Sequence, residues 1–191
     1  MNYNSYSDKN LNKSLNIFFN EDDGLFKNFR LEYLNILNTN IDNKYLKNFT
    51  NEPFPLEFNL NTSLGKSINF ITYIDIDKIY KILEENKYKI MKINLSEIDM
   101  IQPLKTNGVP RILNKPILLL DGVFNNIFIQ ENHYYSIDGR NRIKNAYLNN
   151  QKDIEAYIVN DEIILKCAIN NLNKLALEIL LKYNYYFGRT F

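Results

Sequence analysis

The sequence predicts an α+β protein, in which a small mixed sheet with packed helices carries helical extensions at its N- and C-terminal ends. Apolar residues make up 45% of the 191-residue chain and charged residues 24%, which is sufficient for a packed core. Short segments of alternating apolar and polar residues predict strands, and segments with apolar residues at helical spacing lie between them. Their order predicts three parts: a helical and strand extension over 1–87, a central domain over 88–160 and a helical pair over 161–191.

The first part is predicted to begin with a loose polar tail over 1–13. Apolar residues from Leu25 to Leu37 recur at near-helical spacing and predict a helix over 24–38. The elements expected after it are a short helix over 41–49, a break at Pro53 and Pro55, strands over 56–60 and 68–74 with a turn at Gly65, and a helix over 75–86 with Ile79, Ile82 and Leu83 on its inner face.

The central domain has its own order of short elements. It is expected to begin with a strand over 88–95, a turn or short helix capped by Ser96, and a loop-rich connector over 102–116. A buried strand over 117–120 follows, then a turn at Asp121-Gly122 and a hairpin of 127–129 with 134–137 that turns at Glu131-Asn132. The last elements are a helix over 140–149, with Ile143, Ala146 and Tyr147 inward, and a strand over 154–159. Asn160 is a good N-cap for the next helix, and Asn170-Asn171 separates it from the last one. We expect this pair to pack on the preceding domain; one ankyrin-type repeat is the less favoured alternative, since a single repeat cannot bury its own face.

Charge and cysteine content narrow the function classes. The net charge of +1 gives no global attraction to nucleic acid or anionic membranes. Cys167 is the single cysteine, so an intramolecular disulfide and a cysteine zinc site are excluded. No apolar window is long enough to span a membrane, and the N-terminus lacks the apolar stretch of a signal peptide. We therefore expect a cytoplasmic protein without a membrane partner.

The segment from His133 to Leu148 carries the strongest functional signal. A strand ends at Asp138, Gly139 permits a tight turn, and a helix is expected to begin at once with Arg140. A helix start carries partial positive charge and attracts phosphate, and arginine binds phosphate oxygens with a fixed fork of donors. The pattern predicts an anion site formed by Gly139, Arg140, Asn141 and Arg142. The alternative is an ordinary Asp-Gly turn whose arginines are solvated or paired with carboxylates such as Asp138 or Glu155.

A larger pattern resembles the ParB/sulfiredoxin-like superfamily over residues 88–160. It consists of Ile93-Asn-Leu-Ser-Glu-Ile98, Lys115-Pro-Ile-Leu-Leu119, Tyr134-Tyr-Ser-Ile-Asp-Gly-Arg-Asn-Arg-Ile143, Ala146 and Ile154-Glu-Ala-Tyr-Ile158. The resemblance implies that Gly139 is the glycine that lets a nucleotide approach the backbone closely, and that Arg142 binds the phosphates of that nucleotide. Arg140 and Asn141 fill positions that vary in the family, and Asn145 departs from a frequent alanine.

The resemblance implies a ligand such as ATP or CTP, with or without Mg²⁺, and a hydrolase or phosphotransferase (kinase) activity without selecting between them. Sulfiredoxin chemistry is not expected, because Arg140 and Asn141 occupy the loop positions where it needs a cysteine. Weak catalytic candidates are Glu97 and Asp99 near the first strand, and Asp138, which we expect to cap the helix rather than hold Mg²⁺. No cluster has metal-ligand spacing, and the lone His133 is expected to be solvated.

Two other function classes stay open. One is a non-catalytic interaction or inhibitor protein with a protein partner, which keeps the fold with a vestigial nucleotide site. The lack of a clear second phosphate motif and the unassigned N-terminal part of the chain support it. The other is a DNA-binding or nuclease module, which the basic cluster of Arg140, Arg142, Lys144 and Lys152 favours and the near-zero net charge disfavours.

Overall fold

The structure is a computed structural model that describes residues 4–21, 24–39, 53–106, 115–129 and 133–187. It contains both helices and strands, arranged around two small sheets, which confirms the α+β class. The chain forms two compact units. The first combines residues up to Lys78 with residues from Leu165 onward, and the second runs from Ile79 to Ile164. The second unit thus contains the predicted 88–160 domain together with most of the helix that precedes it.

The first unit is built on a two-stranded antiparallel sheet. Its strands are β1 (Phe54–Asn61) and β2 (Ser67–Ile74), with Phe58 opposite Phe70 and a turn at Gly65, where φ is +77°. Every second residue is buried from Leu56 to Leu60 in β1 and from Ile68 to Ile74 in β2, because alternate side chains of a strand point to the same face. The two strands and the turn predicted from alternation are confirmed.

The prediction of a loose N-terminal tail is wrong. Residues Asn4–Asn20 form helix α1, which contacts β2. Leu11, Leu15, Phe18 and Phe19 are buried at helical spacing, and the Phe18 ring lies 5.9 Å from that of Phe70. The polar composition of residues 4–10 hid this helix, because the apolar residues at helical spacing begin only at Leu11.

Helix α2 (Lys27–Asn38) lies within its predicted range, and only some of its apolar residues are buried. Tyr33 and Ile36 are buried, as is Phe26 just before the helix, whereas Leu31, Leu34 and Leu37 are exposed. The predicted helix over 41–49 lies outside the described residues. Helix α8 (Asn171–Phe187) contacts α1, α2 and β2, and Asn173 accepts a hydrogen bond from the Tyr73 amide at 2.7 Å. This last helix therefore packs within the first unit, which differs from the packing on the preceding 88–160 domain that the sequence predicts.

Helix α3 (Ile76–Glu85) begins where the sequence predicts it, with Ile79 and Leu83 buried and Ile82 partly so. In the second unit, the sheet has the order β3-β6-β4-β5. The strands are β3 (Met91–Asn94), β4 (Ile117–Leu120), β5 (Ser136–Asp138) and β6 (Asp153–Val159). β6 is parallel to β4, and the other two pairs are antiparallel, so the sheet is mixed as predicted.

Among the described residues, four helices after α3 lie wholly or partly in this unit. They are α4 (Ile101–Lys105), α5 (Gly122–Phe128), α6 (Arg140–Leu148) and α7 (Asp161–Lys166). Ile143 and Ala146 of α6 join a core cluster with Ile93, Ile117 and Ala156 of the strands. Tyr147 was predicted to point inward but is 51% exposed. A 3-10 helix, Leu95–Glu97, follows β3, and Asn94 rather than Ser96 caps it by accepting from the Ser96 amide at 2.9 Å.

The predicted hairpin of 127–129 with 134–137 is wrong, and so is the isolated turn at Asp121-Gly122. Residues 122–128 form α5, and β5 pairs with β4 instead. The Asp161 carboxylate accepts from the amides of Val123 and Phe124 at 2.9 and 3.0 Å, which stabilises the helix start. The predicted hairpin turn at 131–132 and residues 107–114 of the predicted connector lie outside the described residues.

Candidate functional site

The connection from β5 to α6 is a single residue, Gly139, as the strand–glycine–helix pattern predicts. Its φ of +93° lies in the left-handed region that favours glycine. A Cβ atom on Gly139 would lie 2.8 Å from Ile117 Cβ, closer still to Ile117 Cγ2, and 3.1 Å from Arg142 Nη2. The glycine is therefore required by the approach of the helix start to β4, and protein atoms fill the space on its Cβ side.

Arg142 extends from α6 back to the end of β5. Its Nη2 donates to Asp138 Oδ2 at 2.7 Å and to the Tyr80 hydroxyl at 3.3 Å, and its Nη1 donates to the Lys115 carbonyl oxygen. The side chain is 19% exposed. Of the two roles left open by the sequence, the structure shows the pairing of Arg142 with Asp138, which braces the turn.

Tyr80 of α3 completes this cluster. Its hydroxyl lies 2.6 Å from Asp138 Oδ2 and 2.8 Å from the Pro116 carbonyl oxygen, and it donates to one of them at a time. Burial, reinforced by the negative charge of Asp138, raises the pKa of Tyr80 above its ordinary value. The hydroxyl therefore stays protonated and serves as a donor to the carboxylate.

Sequence reasoning missed Tyr80 because its partners come from β5 and α6, far along the chain. One signal was available: Tyr80 lies beside Ile79 on a helix with an apolar inner face, and a buried tyrosine hydroxyl needs a hydrogen-bond partner. The role of the Lys115 carbonyl oxygen as an acceptor for Arg142 could not be predicted, because every residue has such a backbone group.

Arg140 occupies a different environment from Arg142. Its Nη2 donates to the Tyr135 hydroxyl at 3.0 Å, and its guanidinium carbon lies 5.6 Å from the centre of the Tyr135 ring. The Phe128 ring stacks on the same tyrosine ring at a centroid distance of 4.9 Å. Asn141 lies between the two arginines in the first turn of α6 and is half-buried. The first turn thus has one arginine paired with the Asp138 carboxylate and one that contacts the Tyr135 side chain.

The weak catalytic candidates do not form one cluster. Asp138 Oδ2 is engaged by Tyr80 and Arg142, so this carboxylate is poorly suited to hold Mg²⁺. Glu97 is exposed in the 3-10 helix, and Asp99 Oδ1 accepts from the Ile101 amide at 3.2 Å. Within the described ranges, no three His, Cys, Asp or Glu side chains are grouped so that they could hold a metal ion.

Several other sequence candidates have defined positions. Lys144, from the basic cluster, donates to the Thr106 carbonyl oxygen at 2.8 Å. The His133 carbonyl oxygen accepts from the Asn125 side chain at 2.9 Å. Cys167 is fully buried, and burial raises the pKa of its thiol to about 12, which disfavours thiolate chemistry.

A cavity of about 890 Å³ lies in the same unit, beside β3 and the C-terminal end of α6. Asp99, Phe128, His133, Tyr147 and Lys152 contribute to its walls. Residues 138–142 do not line it, so the predicted phosphate site and the cavity are separate surfaces linked through the Phe128–Tyr135 stack.

Comparisons of the chain with protein-family models, with curated proteins and with solved structures found no match. No helix among the described residues is both long and apolar enough to cross a membrane.

Proposed function

We propose that the second unit binds a phosphate-bearing ligand, a nucleoside triphosphate such as ATP or CTP, at the start of α6. The observation that carries the proposal is the direct passage from β5 through left-handed Gly139 into a nine-residue helix whose first turn contains two arginines. The aligned peptide dipoles give this helix start a partial positive charge, which favours an anion. The resemblance of residues 88–160 to the ParB/sulfiredoxin-like superfamily supports the same ligand class.

Arg140 is our choice for the direct phosphate contact. The charge of Arg142 is balanced by Asp138 at 2.7 Å, and a ligand that took this arginine would leave the carboxylate without its cation. Arg142 therefore acts as a positioning residue that holds Gly139 and the first turn against β4, and Arg140 is the other arginine of that turn.

Binding, rather than hydrolysis or phosphotransfer, is the function that the geometry supports best. A catalytic carboxylate would have to reach the ligand or its Mg²⁺, and Asp138 is engaged by Tyr80 and Arg142. Glu97 and Asp99 flank the bridge between Ile98 and Tyr134, outside the first turn of α6. We therefore assign no catalytic step to these side chains.

Calorimetric titration of the full chain with ATP, CTP and inorganic triphosphate, each with and without Mg²⁺, tests the proposal. A charge-assisted hydrogen bond is worth about 1.5–3 kcal/mol, so Arg140→Ala is expected to weaken binding about 10- to 150-fold. Arg140→Lys should recover only part of the lost affinity, because lysine keeps the positive charge but lacks the planar set of guanidinium donors.

Lys144→Ala is the matched control, since it removes one positive charge from the same helix, one turn further on, where the side chain contacts Thr106. We expect a much smaller effect on affinity. Equal losses in Arg140→Ala and Lys144→Ala would show a nonspecific charge effect. A folded wild-type chain that binds none of the three ligands would refute the proposal.

A non-catalytic interaction protein is the second candidate, because α2 exposes Leu31, Leu34 and Leu37 in the first unit. Exposed leucines grouped on one helix are typical of contact surfaces. Sedimentation of the wild-type chain and of Leu34→Glu would test self-association through this surface. Concentration-dependent association that Leu34→Glu abolishes, combined with no triphosphate binding, would favour this candidate over nucleotide binding.

A further inference from the structure

We propose that the cavity beside β3 and the C-terminal end of α6 binds a short peptide with free termini, about three residues in length. Lys152 contacts the terminal carboxylate of the peptide, and Asp99 contacts its ammonium group. Residues 138–142 do not line the cavity, so this site goes beyond the proposed triphosphate function and does not depend on it.

Two side chains of opposite charge in the cavity wall lack ionic partners. Asp99 and Lys152 both contribute to the wall. Among the described residues neither of them forms an ion pair, and no hydrogen bond engages Lys152 Nζ. Asp99 Oδ1 accepts from the Ile101 amide at 3.2 Å, and the described residues provide no partner for the second carboxylate oxygen. The wall therefore offers a ligand one cation and one anion that do not neutralise each other.

The backbone places these two charged residues at opposite ends of one wall segment. The Leu95 amide donates to the Lys152 carbonyl oxygen at 2.9 Å, so Lys152 lies beside the start of the 3-10 helix. Asp99 follows the extended residue Ile98, and the Asp99 amide donates to the Tyr134 carbonyl oxygen at 3.0 Å. With about 2 Å per residue in a 3-10 helix and about 3.3 Å per extended residue, the backbone from Leu95 to Asp99 spans roughly 10 Å.

A tripeptide suits this spacing and the remaining chemistry of the wall. Three extended residues also span about 10 Å, whereas both charged groups of a free amino acid are attached to one carbon atom. Phe128 and Tyr147 provide aromatic surface for an apolar side chain, and Asn150 and Gln151 provide side-chain amides for the peptide groups. The cavity volume of about 890 Å³ falls in the range of small-molecule sites.

NMR titration of the isotope-labelled full chain with the tripeptide Ala-Phe-Ala tests the proposal. We expect shift changes at backbone amides within 94–101 and 147–152, the segments that supply most of the wall. The C-terminal amide of the peptide and its N-acetyl form each lack one charged end. Each should bind about 5- to 12-fold more weakly, the effect of one partly solvated charge contact. Free phenylalanine should also bind more weakly than the tripeptide.

Combining protein variants with the capped peptides assigns each end of the ligand. Lys152→Ala should weaken binding of Ala-Phe-Ala as much as amidation does, and amidation should have no further effect on this variant. Asp99→Asn keeps an acceptor for the Ile101 amide and removes the negative charge. This variant should likewise bind the free and acetylated peptides with equal affinity.

Lys92→Ala and Asp153→Asn are the matched controls, because Lys92 and Asp153 are exposed residues of β3 and β6 that do not line the cavity. They should bind every peptide like wild type. Equal losses in Lys152→Ala and Lys92→Ala, or in Asp99→Asn and Asp153→Asn, would show a nonspecific charge effect and overturn the proposal.

Failure of folded wild-type protein to bind Ala-Phe-Ala would also overturn the proposed peptide site. The same holds if the free and both capped peptides bind equally, or if free phenylalanine binds as tightly as the tripeptide. None of these outcomes bears on triphosphate binding at the start of α6, which the titrations with ATP, CTP and triphosphate measure separately.

Discussion

Replacing Gly139 with alanine should destabilise the second unit through two separate effects. The backbone has φ of +93°, and the left-handed conformation costs a residue with a Cβ about 1–2 kcal/mol. The new Cβ would also lie 2.8 Å from Ile117 Cβ and 3.1 Å from Arg142 Nη2. Forcing an atom into packed surroundings costs a further 1–3 kcal/mol or so. We therefore expect Gly139→Ala to lower the free energy of unfolding by about 2–5 kcal/mol, measured by urea denaturation.

Gly65→Ala separates the two effects, because Gly65 has φ of +77° with open space where its Cβ would lie. This control should show the conformational cost alone, about 1–2 kcal/mol. A double-mutant cycle with Ile117→Ala gives the steric part independently, since that substitution removes Cγ2 and leaves only Cβ. We expect Gly139→Ala to cost less in the Ile117→Ala background than in wild type.

Equal destabilisation by Gly139→Ala and Gly65→Ala, together with no coupling to Ile117, would refute the argument. Gly139 would then be needed for its backbone conformation only. The space on its Cβ side would be able to accept an atom, as the ligand-approach role implied by the family resemblance requires.

Three further predictions concern groups whose partners the structure defines. Arg142→Ala should lower the free energy of unfolding by about 1–3 kcal/mol, since it leaves Asp138 without its cation, and thermal melts would measure this; an unchanged melting temperature would contradict the bracing role. Asp161→Ala should cost about 0.5–2 kcal/mol and speed hydrogen exchange at the Val123 and Phe124 amides, whose bonds it removes; unchanged exchange there would show that α5 does not depend on this cap. Because the pKa of Cys167 rises from 9.0 to about 12 on folding, the unfolded thiol loses its proton first as pH rises. Stability should therefore decrease between these values by up to about 1.4 kcal/mol per pH unit, and denaturation of Cys167→Ala should show a shallower decrease; identical slopes would contradict the shift.

The sequence predicted the elements that are determined by residues adjacent in the chain. The strands β1 and β2 show strict alternation of buried and exposed residues, and the turn between them has its glycine where φ is positive. The β5–Gly139–α6 connection was likewise predictable, because a strand end, a glycine and a helix start are adjacent in the chain.

Elements that depend on distant partners could not be predicted in this way. Helix α5 takes its N-terminal hydrogen bonds from Asp161, 37 and 38 residues away, so the apolar run at 127–129 resembled a strand. The sequence also did not show which face of α2 is buried, because apolar residues recur around the helix and the buried ones are distinguished by packing, as Tyr33 is by its contact with the Phe19 ring.

The same distinction applies to the two arginines of the site. Arg140 and Arg142 have equal intrinsic capacity to bind phosphate, and their separation in sequence does not tell which of them is available. The difference comes from Tyr80 and the Lys115 carbonyl, which lie far away in the chain and hold Arg142 with Asp138. A ligand that displaced Arg142 would have to break this set of contacts and leave the Asp138 carboxylate without its cation. A ligand that recruits Arg140 leaves the contacts of Asp138 with Arg142 and Tyr80 intact, so we expect an anion at the start of α6 to bind on the Arg140 side.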